Sequence, residues 1–555
     1  MSPSVSVDAR PRPTWPHSPR WRSATVLLVA TALTLGLLTV RYYGATWDEE
    51  HSMRQGSLLI RWYASGLQDR RVIDDSNYRY YGGFFNAIVA LAHLGGTPLY
   101  ETSHVATVLC GAAGLALAYW IGATLGSRFS GFLSALFLWM TPFYYGHTFN
   151  NPKDLPFAVG MLASLAAIMA CWQHLPCLPP GPWIRTGLVV GMTLGIRVGA
   201  VLNLLYLGLI GLAWLVLRGP AQAREGTLSA PGAVGALAKS LVRIVGVACC
   251  VMLPFWPYTL VDPVRHLWRT VVVSAHFTDW IHPVRFAGAD VLSNQLPWSY
   301  VPTWFGVTLP EFYFIAAAAG ALRIPRVAAA LRRGQLNRDR AVLGGLLAVA
   351  ILCPVATIIL SHAILYNGVR HLLFVAPLLA IAAGLSLSSF WSQTSSRAVR
   401  LMVAALTAVS LVATALDMVR LHPYQSVYFN RLVAGGLGHA SSQFETDYWG
   451  QSYKEGVDWL LAHYGRDADE PVRVANCSTP FLTGYYLTKA PGAPERFVSV
   501  EPNARPHVVL ATTRWFCYDQ QTARVLHVVK RMGVPLAYVV EVRPPHSARR
   551  AASVR

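Results

Sequence analysis

The stretch ATVLLVATALTLGLLTVRYY (24–43) is followed two residues later by TWDEEHSMRQG (46–56). A helix needs about 20 mainly apolar residues to cross the hydrocarbon core of a bilayer. The apolar run has no small-residue cleavage site and follows a basic segment (1–23). It therefore predicts an uncleaved first membrane helix rather than a signal peptide, and it places the acidic cluster at a membrane surface.

The composition of the whole chain agrees with a protein that has lipid as its main solvent. Of 555 residues, 54% are hydrophobic and only 13% are charged, whereas soluble domains carry about a quarter charged residues. The net charge of +19 would suggest nucleic acid in a soluble protein. In a membrane protein the same excess is expected from basic cytoplasmic loops. We therefore expect no nucleic-acid partner.

Length and lack of charge predict about 11 transmembrane helices within a module covering residues 24–419. The later segments are 104–125, 131–146, 155–172, 184–217 (interrupted by Arg197 and counted as two), 242–258, 302–322, 341–362, 371–390 and 401–418. The chain shows no internal repeat and no Walker motif, so an ATP-driven pump on this chain alone is not expected.

The distribution of Lys and Arg predicts the orientation, because basic loops remain in the cytoplasm. One alternating set of connections holds the N-terminal arginines, Arg218, Arg224, Lys239, Arg243, Arg323, Arg326, Arg332, Arg333, Arg338, Arg340, Arg397 and Arg400. The first long loop (44–102), the loop 260–301 and the tail (420–555) then face outward. We expect a multi-pass protein of the inner (plasma) membrane with an extracytoplasmic C-terminal domain.

The tail changes composition and predicts a small α/β domain. We expect a helix over 451–464 and short strands over 472–475, 508–511 and 536–542. Cys477 and Cys517 both lie in this tail. They form a disulfide if the tail is outside the cytosol, and two buried free thiols are the alternative.

The sharpest polar cluster follows the first apolar run. Asp48, Glu49 and Glu50 stand beside His51. A partly desolvated carboxylate at the membrane surface suits a general base. The alternative is a solvated group of charges beside the membrane.

A second cluster, HTFNNPKDLPF, contains His147, Asn150, Asn151, Lys153 and Asp154. Asp154 is expected to act as the N-terminal cap of the next span. Lys153 at the same helix start favours an anionic partner, because the positive end of the helix dipole lies there.

Two further sites place cations at membrane level. Arg197 in GIRVGA lies among apolar residues and is a candidate functional residue, unless two half-length helices meet there and let it reach the outer surface. Arg370 and His371 in YNGVRHLLF open a later span on the outer side, where a lipid phosphate would compensate their charge. These cations and the acids share one membrane face, as a lipid-linked phosphate substrate would require.

This pattern resembles the GT-C superfamily of polyprenyl-phosphate-sugar-dependent glycosyltransferases, in the style of protein O-mannosyltransferases, lipid A aminoarabinose transferases and glycosyltransferase family 39. The resemblance rests on the Asp48–Glu49 pair in the first outer loop, YRYYGGFF (78–85), NPKDLPF (151–157) and the helix pair broken at Arg197. The tail strings HPYQSVYFNRLVAGG (422–436) and FETDYWGQSYKEG (444–456) also resemble those of bacterial members. Mannosyltransferases carry a His-Pro-Pro segment where this chain has YYGGFF, so a protein acceptor is not assumed.

The resemblance implies an inverting transfer of a sugar to an acceptor hydroxyl on a glycan, lipid or protein. Asp48 would be the general base, and Glu49 would orient Asp48 or the acceptor. Lys153, Arg197 and Arg370, with His371 as a further candidate, would neutralise the departing polyprenyl phosphate. Asp154 and His147 would hold the sugar or a divalent cation. No cofactor is expected to be required, and the reaction is either metal-independent or weakly metal-assisted.

The main alternative is a transporter or flippase for a lipid-linked or anionic solute. Transporters place ionisable residues near the middle of the membrane and often contain repeated halves. Here the charges gather at one face. A third interpretation is a non-catalytic assembly protein whose outer domain binds a partner.

Overall fold

The computed structural model describes residues 18–542 except 97, 226–228, 276–279, 336, 466–469 and 514–515. Most of the basic N-terminal segment (1–23) thus lies outside the described residues. Within the described part, eight helices are long and apolar enough to span a membrane, and a ninth span is a pair bent by 41°. The eight are Arg20–Tyr42, Leu99–Leu125, Asp154–His174, Val198–Leu217, Ala230–Phe255, Arg338–Leu360, Arg370–Gln393 and Arg397–Leu421, and the bent pair is Glu311–Ala321 with Ile324–Ala330.

The two remaining predicted segments are also helical but shorter. Segment 131–146 falls on two helices, Arg128–Trp139 and Pro142–Asn150, and the first half of 184–217 falls on Pro180–Leu194. All eleven predicted segments are therefore helical. The other membrane-module helices are Trp47–Ala64, Arg71–Asp74, Ser76–Arg79, Phe84–His93, Gly219–Arg224, Pro257–Val261, Pro263–Ala275 and Tyr300–Thr308.

The helix Arg397–Leu421 has an apolar face outside and a more polar face inside, as expected for a helix that contacts lipid. In Arg397–Leu421, large apolar side chains are exposed along one face. The opposite face buries Thr407, Ser410, Thr414 and Asp417 at helical spacing. Asp154–His174 is enclosed by its neighbours, with 83% of its most apolar stretch buried, against 11% for Arg20–Tyr42. The N-terminal end of this central helix carries the candidate site.

The C-terminal part forms a mixed five-stranded sheet with helices packed on it. Its strands are β3 (Val472–Asn476), β4 (Phe497–Ser499), β5 (Val508–Thr512), β6 (Arg524–Arg531) and β7 (Val534–Glu541), in the order β4-β3-β5-β7-β6. A separate hairpin in the loop 260–301 contains β1 (Pro283–Phe286) and β2 (Ala289–Leu292). Helices in this part are Gly436–Ala440, Tyr453–His463, Phe481–Lys489 and Ala493–Arg496.

The predicted small α/β domain is confirmed. The three predicted strands correspond to β3, β5 and β7, and the predicted helix to Tyr453–His463. Strand β5 is buried along its whole length, which explains why its continuous apolar run is recognisable in the sequence. Strands β4 and β6 were not predicted, because β4 has three residues and β6 is a partly exposed edge strand with basic residues.

The segment between the last span and the sheet packs against one end of the membrane helices. The backbone N–H of Asn430 donates to Val307 O at 2.9 Å, and its side-chain amide donates to Gly306 O at 2.6 Å. Arg285 N in β1 donates to Glu445 Oε1 at 2.9 Å. These contacts hold residues 422–452 over the end of the bundle where the candidate site lies.

Candidate active site

Asp48 and Glu49 lie in the first turn of helix Trp47–Ala64, where one side chain is partly exposed and the other is buried. The backbone N–H of Thr46 donates to Glu49 Oε2 at 2.9 Å, as in a capping box. The other oxygen of Glu49 lies 3.0 Å from His104 Nε2 on the span Leu99–Leu125. Glu49 is fully buried, so it fixes the helix start to the bundle and faces away from solvent. The side chain of Asp48 is 30% exposed.

Four charged side chains form a continuous chain across the site. Asp48 Oδ2 accepts a hydrogen bond from Arg370 Nη1, which lies 3.5 Å from Asp154 Oδ2. Asp154 Oδ1 pairs in turn with Arg197 Nη1 at 2.6 Å. The side chains of Arg370 and Asp154 are only 4% and 2% exposed. Two acids and two arginines thus neutralise each other, as buried charges require.

Aromatic rings hold the guanidinium of Arg370. Its central carbon lies 4.7 Å from the ring centre of Trp449 and 5.2 Å from that of Tyr366, distances typical of cation–π contacts. Its Nε is buried without a hydrogen-bond partner among the described residues. A buried donor of this kind is costly unless a ligand oxygen accepts from it.

Asn151 organises the turn before the central helix. Its Oδ1 accepts from the backbone N–H groups of Lys153 (3.3 Å) and Asp154 (2.8 Å). Its amide donates to Asp154 Oδ2 at 3.3 Å and lies 3.2 Å from Nδ1 of the buried His147. The prediction that Asp154 caps this helix is wrong, because the helix begins at Asp154 itself and Asn151 takes the free N–H groups. The carboxylate of Asp154 is thereby left for the arginines.

Arg197 lies at a true break between helices. Pro180–Leu194 ends before it, its own backbone is extended (φ −153°, ψ 139°), and the next helical turn starts at Val198. Of the two interpretations of Arg197, the structure agrees with the one in which two helices meet at this residue. The second helix, Val198–Leu217, is nevertheless 20 residues long. The break aims the guanidinium at Asp154.

Lys153, His51 and His371 flank the ion-pair chain. The ammonium of Lys153 lies 3.6 Å from the ring centre of Tyr81, and the ring of His371 lies 4.5 Å from that of Tyr366. Burial, together with the positive charge of Lys153, lowers the pKa of His51 below its usual 6.5. His51 Nε2 lies 3.1 Å from Asn77 O, so the neutral ring carries its proton there.

A cleft of about 490 Å³ opens beside Asp48 and Arg370, within the ~300–1,000 Å³ range of small-molecule sites. Its walls combine acids, cations and aromatic rings from the first long loop (44–102), the loop 260–301, the Tyr366–Arg370 turn and the C-terminal domain. The residues that line the cleft are Trp47, Asp48, Glu50, His51, Arg54, Asp75, Asn77, Tyr78, Trp280, Tyr366, Arg370, Ser478 and Thr479. Asp48 thus faces a space that is shared by the membrane module and the C-terminal domain.

Several of these residues were not predicted from the sequence. Thr479 Oγ1 donates to Glu50 Oε2 at 3.2 Å. Beside it, Cys477 and Cys517 form the disulfide that was one of the two alternatives left open by the sequence. Asp447 accepts from Ser452 N at 2.8 Å and holds the turn that carries Trp449. Local sequence held little information on the contact between Thr479 and Glu50, since it joins residues 429 positions apart in the chain. The sequence of segment 444–456 indicates only a resemblance to bacterial members of the superfamily.

The predicted site residues therefore fall into two groups. Asp48, Arg370, Asp154 and Arg197 form one chain, with His147, Lys153 and His371 packed around it, whereas Glu49 belongs to the adjoining helix start. Among the described residues, no group of three or more His, Cys, Asp or Glu side chains is placed to hold a metal ion.

Comparisons with solved structures give similar folds at low sequence identity. ArnT from Cupriavidus metallidurans bound to undecaprenyl phosphate aligns with a TM-score of 0.49 and 14% identity, over 95% of this chain and 100% of that one. Archaeal oligosaccharyltransferase AglB from Archaeoglobus fulgidus, in complex with an inhibitory peptide and a dolichol-phosphate, gives 0.47 and 9%, over 89% and 69%. Arabinofuranosyltransferase AftD from Mycobacteria gives 0.41 and 13%, over 95% and 42%.

No protein-family model matches the chain, and no curated protein matches it significantly. Because the structural likenesses are distant, we base the function on the residues of this chain.

Proposed function

We propose that this protein is an inverting glycosyltransferase that moves a sugar from a polyprenyl-phosphate carrier to an acceptor hydroxyl at the outer face of the membrane. One observation carries the proposal. The partly exposed carboxylate of Asp48 and the buried guanidinium of Arg370 stand side by side on a cleft at the end of the helix bundle. A hydroxyl nucleophile needs the first group, and a lipid-anchored phosphate leaving group needs the second.

The reaction proceeds as a single displacement. The acceptor oxygen attacks the anomeric carbon and loses its proton to Asp48. The bond between the anomeric carbon and the phosphate oxygen breaks, and its electron pair leaves with the polyprenyl phosphate. The configuration at the anomeric carbon is inverted, because attack and departure take place on opposite faces of the sugar.

Arg370 stabilises the charge that develops on the phosphate, using the Nε donor that is otherwise unpartnered. Lys153 adds a second positive charge beside the aromatic ring of Tyr81. Arg197 completes the positive surroundings and also holds Asp154 in place. His371, whose ring packs beside Tyr366, offers the phosphate a ring N–H rather than a charge. Asp154 and His147 support the sugar side of the site. Glu49 acts indirectly, because its buried carboxylate orients the helix that presents Asp48.

Replacement of Asp48 by Asn in the source cell tests the proposal. We expect one polyprenyl-phosphate-linked sugar to accumulate and one envelope product to lack that sugar, both detected by mass spectrometry. With that donor, purified Asp48→Asn protein should transfer about 100-fold more slowly or worse. Asp290→Asn is the matched control, because Asp290 lies in the exposed hairpin and its side chain is 63% exposed.

The proposal fails if Asp48→Asn protein transfers sugar at the wild-type rate. A flippase would move the donor between leaflets without breaking it. Release of free polyprenyl phosphate by the purified wild-type protein therefore separates the two functions.

A further inference from the structure

Arg370 lies between the two carboxylates that a divalent cation would use in this site. Hard divalent cations bind carboxylate oxygens, and Mg²⁺ is usually held by one or two of them together with substrate phosphates. Here Asp48 and Asp154 point their Oδ2 atoms at the same nitrogen, Nη1 of Arg370. The guanidinium is thus placed where a metal ion between these acids would have to be.

The charges around this point leave no room for an added cation. Asp48 and Asp154 carry two negative charges, and Arg370 and Arg197 carry two positive ones. A divalent ion in the same place would add two uncompensated charges to a largely buried cluster, which is strongly unfavourable. Binding the ion would require Arg370 to leave.

Arg370 is also held firmly in place. Its side chain is 4% exposed and contacts the rings of Tyr366 and Trp449. Trp449 is itself fixed by the turn at Asp447, which accepts its backbone N–H at 3.2 Å. Moving the guanidinium out of the cluster would break both ring contacts and both carboxylate contacts together.

We infer that Arg370 takes the place of a divalent metal ion in this site, bridging Asp48 and Asp154 through Nη1 and presenting its Nε donor, which has no partner among the described residues, to the phosphate. The inference deepens the proposed function, and the contact with the phosphate rests on that function. The exclusion of a metal ion from between the two acids is independent of it. Transfer is accordingly independent of added divalent cations, and removal of the guanidinium uncovers a cation site at Asp48 and Asp154.

The test measures Mn²⁺ binding to the full-length protein in detergent by electron paramagnetic resonance. Wild-type protein is expected to leave the spectrum of free Mn²⁺ unchanged. Arg370→Ala protein should bind Mn²⁺ at least about tenfold more tightly than wild type, since two carboxylates then face an open space. The double variant Arg370→Ala/Asp154→Asn should lose that binding.

Arg218→Ala is the matched control for a lost arginine. Arg218 pairs at 2.7 Å with the lone acid Asp339 at the opposite end of the bundle, so its removal exposes one carboxylate only and should not create a site.

Wild-type protein provides an arm that does not depend on the folding of Arg370→Ala. Mn²⁺ binding by wild type that disappears in Asp154→Asn would overturn the inference. So would Mn²⁺ binding by Arg370→Ala that is no tighter than by wild type or no weaker in the double variant. If no sugar transfer is ever found, the proposed function fails, whereas the Mn²⁺ comparison between wild type and Arg370→Ala still decides this inference.

Discussion

His51 is a neutral histidine in a charged cleft. The groups that act on its ring are Lys153, Asp48, Asp75 and the carbonyl of Asn77, together with its own burial. The two acids and the carbonyl favour the charged ring, but burial and Lys153 outweigh them and lower the pKa. The folded protein therefore resists taking up a proton at His51.

This shift predicts a loss of stability in mild acid. As the pH falls through 6.5, the unfolded chain binds a proton at His51 before the folded protein does, so the free energy of unfolding falls. His51→Gln removes this contribution and keeps an N–H donor for Asn77 O. The drop in melting temperature between about pH 7.5 and about pH 5.5 should be smaller in His51→Gln than in wild type.

The measurement is thermal unfolding in detergent, followed by tryptophan fluorescence across this pH range. His174→Gln, at an exposed histidine outside the cleft, corrects for the general loss of an imidazole. A pH profile of His51→Gln that coincides with the wild-type profile would contradict the assignment of a lowered pKa.

At the scale of elements, the start of the central helix links stability to the site. Asn151 supplies the acceptor for two free backbone N–H groups and also a donor to Asp154. Asn151→Ala should lower the free energy of unfolding by about 1 kcal/mol through loss of the cap. Under the proposed function, added undecaprenyl phosphate should stabilise the wild-type protein, and Asn151→Ala should reduce this stabilisation because Asp154 and Lys153 are no longer held in position.

The chain offers a matched control at the opposite end of the bundle. Asn337 caps Arg338–Leu360 by accepting from Arg340 N at 3.1 Å. Asn337→Ala should lose similar intrinsic stability and keep the full effect of undecaprenyl phosphate, measured as a shift in melting temperature. Equal losses of the lipid effect in both variants would show that Asn151 acts only as a cap.

Sequence alone predicted the elements better than their contacts. Spans are recognisable because twenty apolar residues have few alternatives to a membrane helix. The partner of Asp48 was not recognisable, since Arg370 lies 322 positions away and no local pattern encodes that pairing. Asp48 and Glu49 are adjacent and chemically alike, yet helix geometry turns their side chains to different sides, and only the packing of His104 shows which one is buried.

The whole molecule is asymmetric across the membrane. The helix ends that carry Asp48, Asp154 and Arg370 contact the C-terminal domain. The other ends carry arginines such as Arg218 and Arg323, the latter bonded to Ser389 O at 2.6 Å. Basic ends face the cytoplasm, so we expect the cleft and the domain to face outward.

The disulfide between Cys477 and Cys517 offers a test of this orientation. Their Cα atoms are 5.3 Å apart, and such bonds persist in oxidising compartments rather than in the cytosol. In cells expressing the protein, free thiols are first blocked with N-ethylmaleimide, and the denatured protein is then reduced and treated with a polyethylene-glycol maleimide. Two new labels should appear on wild type.

The variants make this result specific. Cys477→Ser/Cys517→Ser should gain no label after reduction, whereas Cys353→Ser, which removes a free thiol within a span, should behave as wild type. If wild type gains no label either, both tail thiols were reduced in the cell, and the C-terminal domain lies in the cytoplasm. The arginine-rich ends would then face outward, and the cleft would have to take its lipid-linked donor from the inner leaflet.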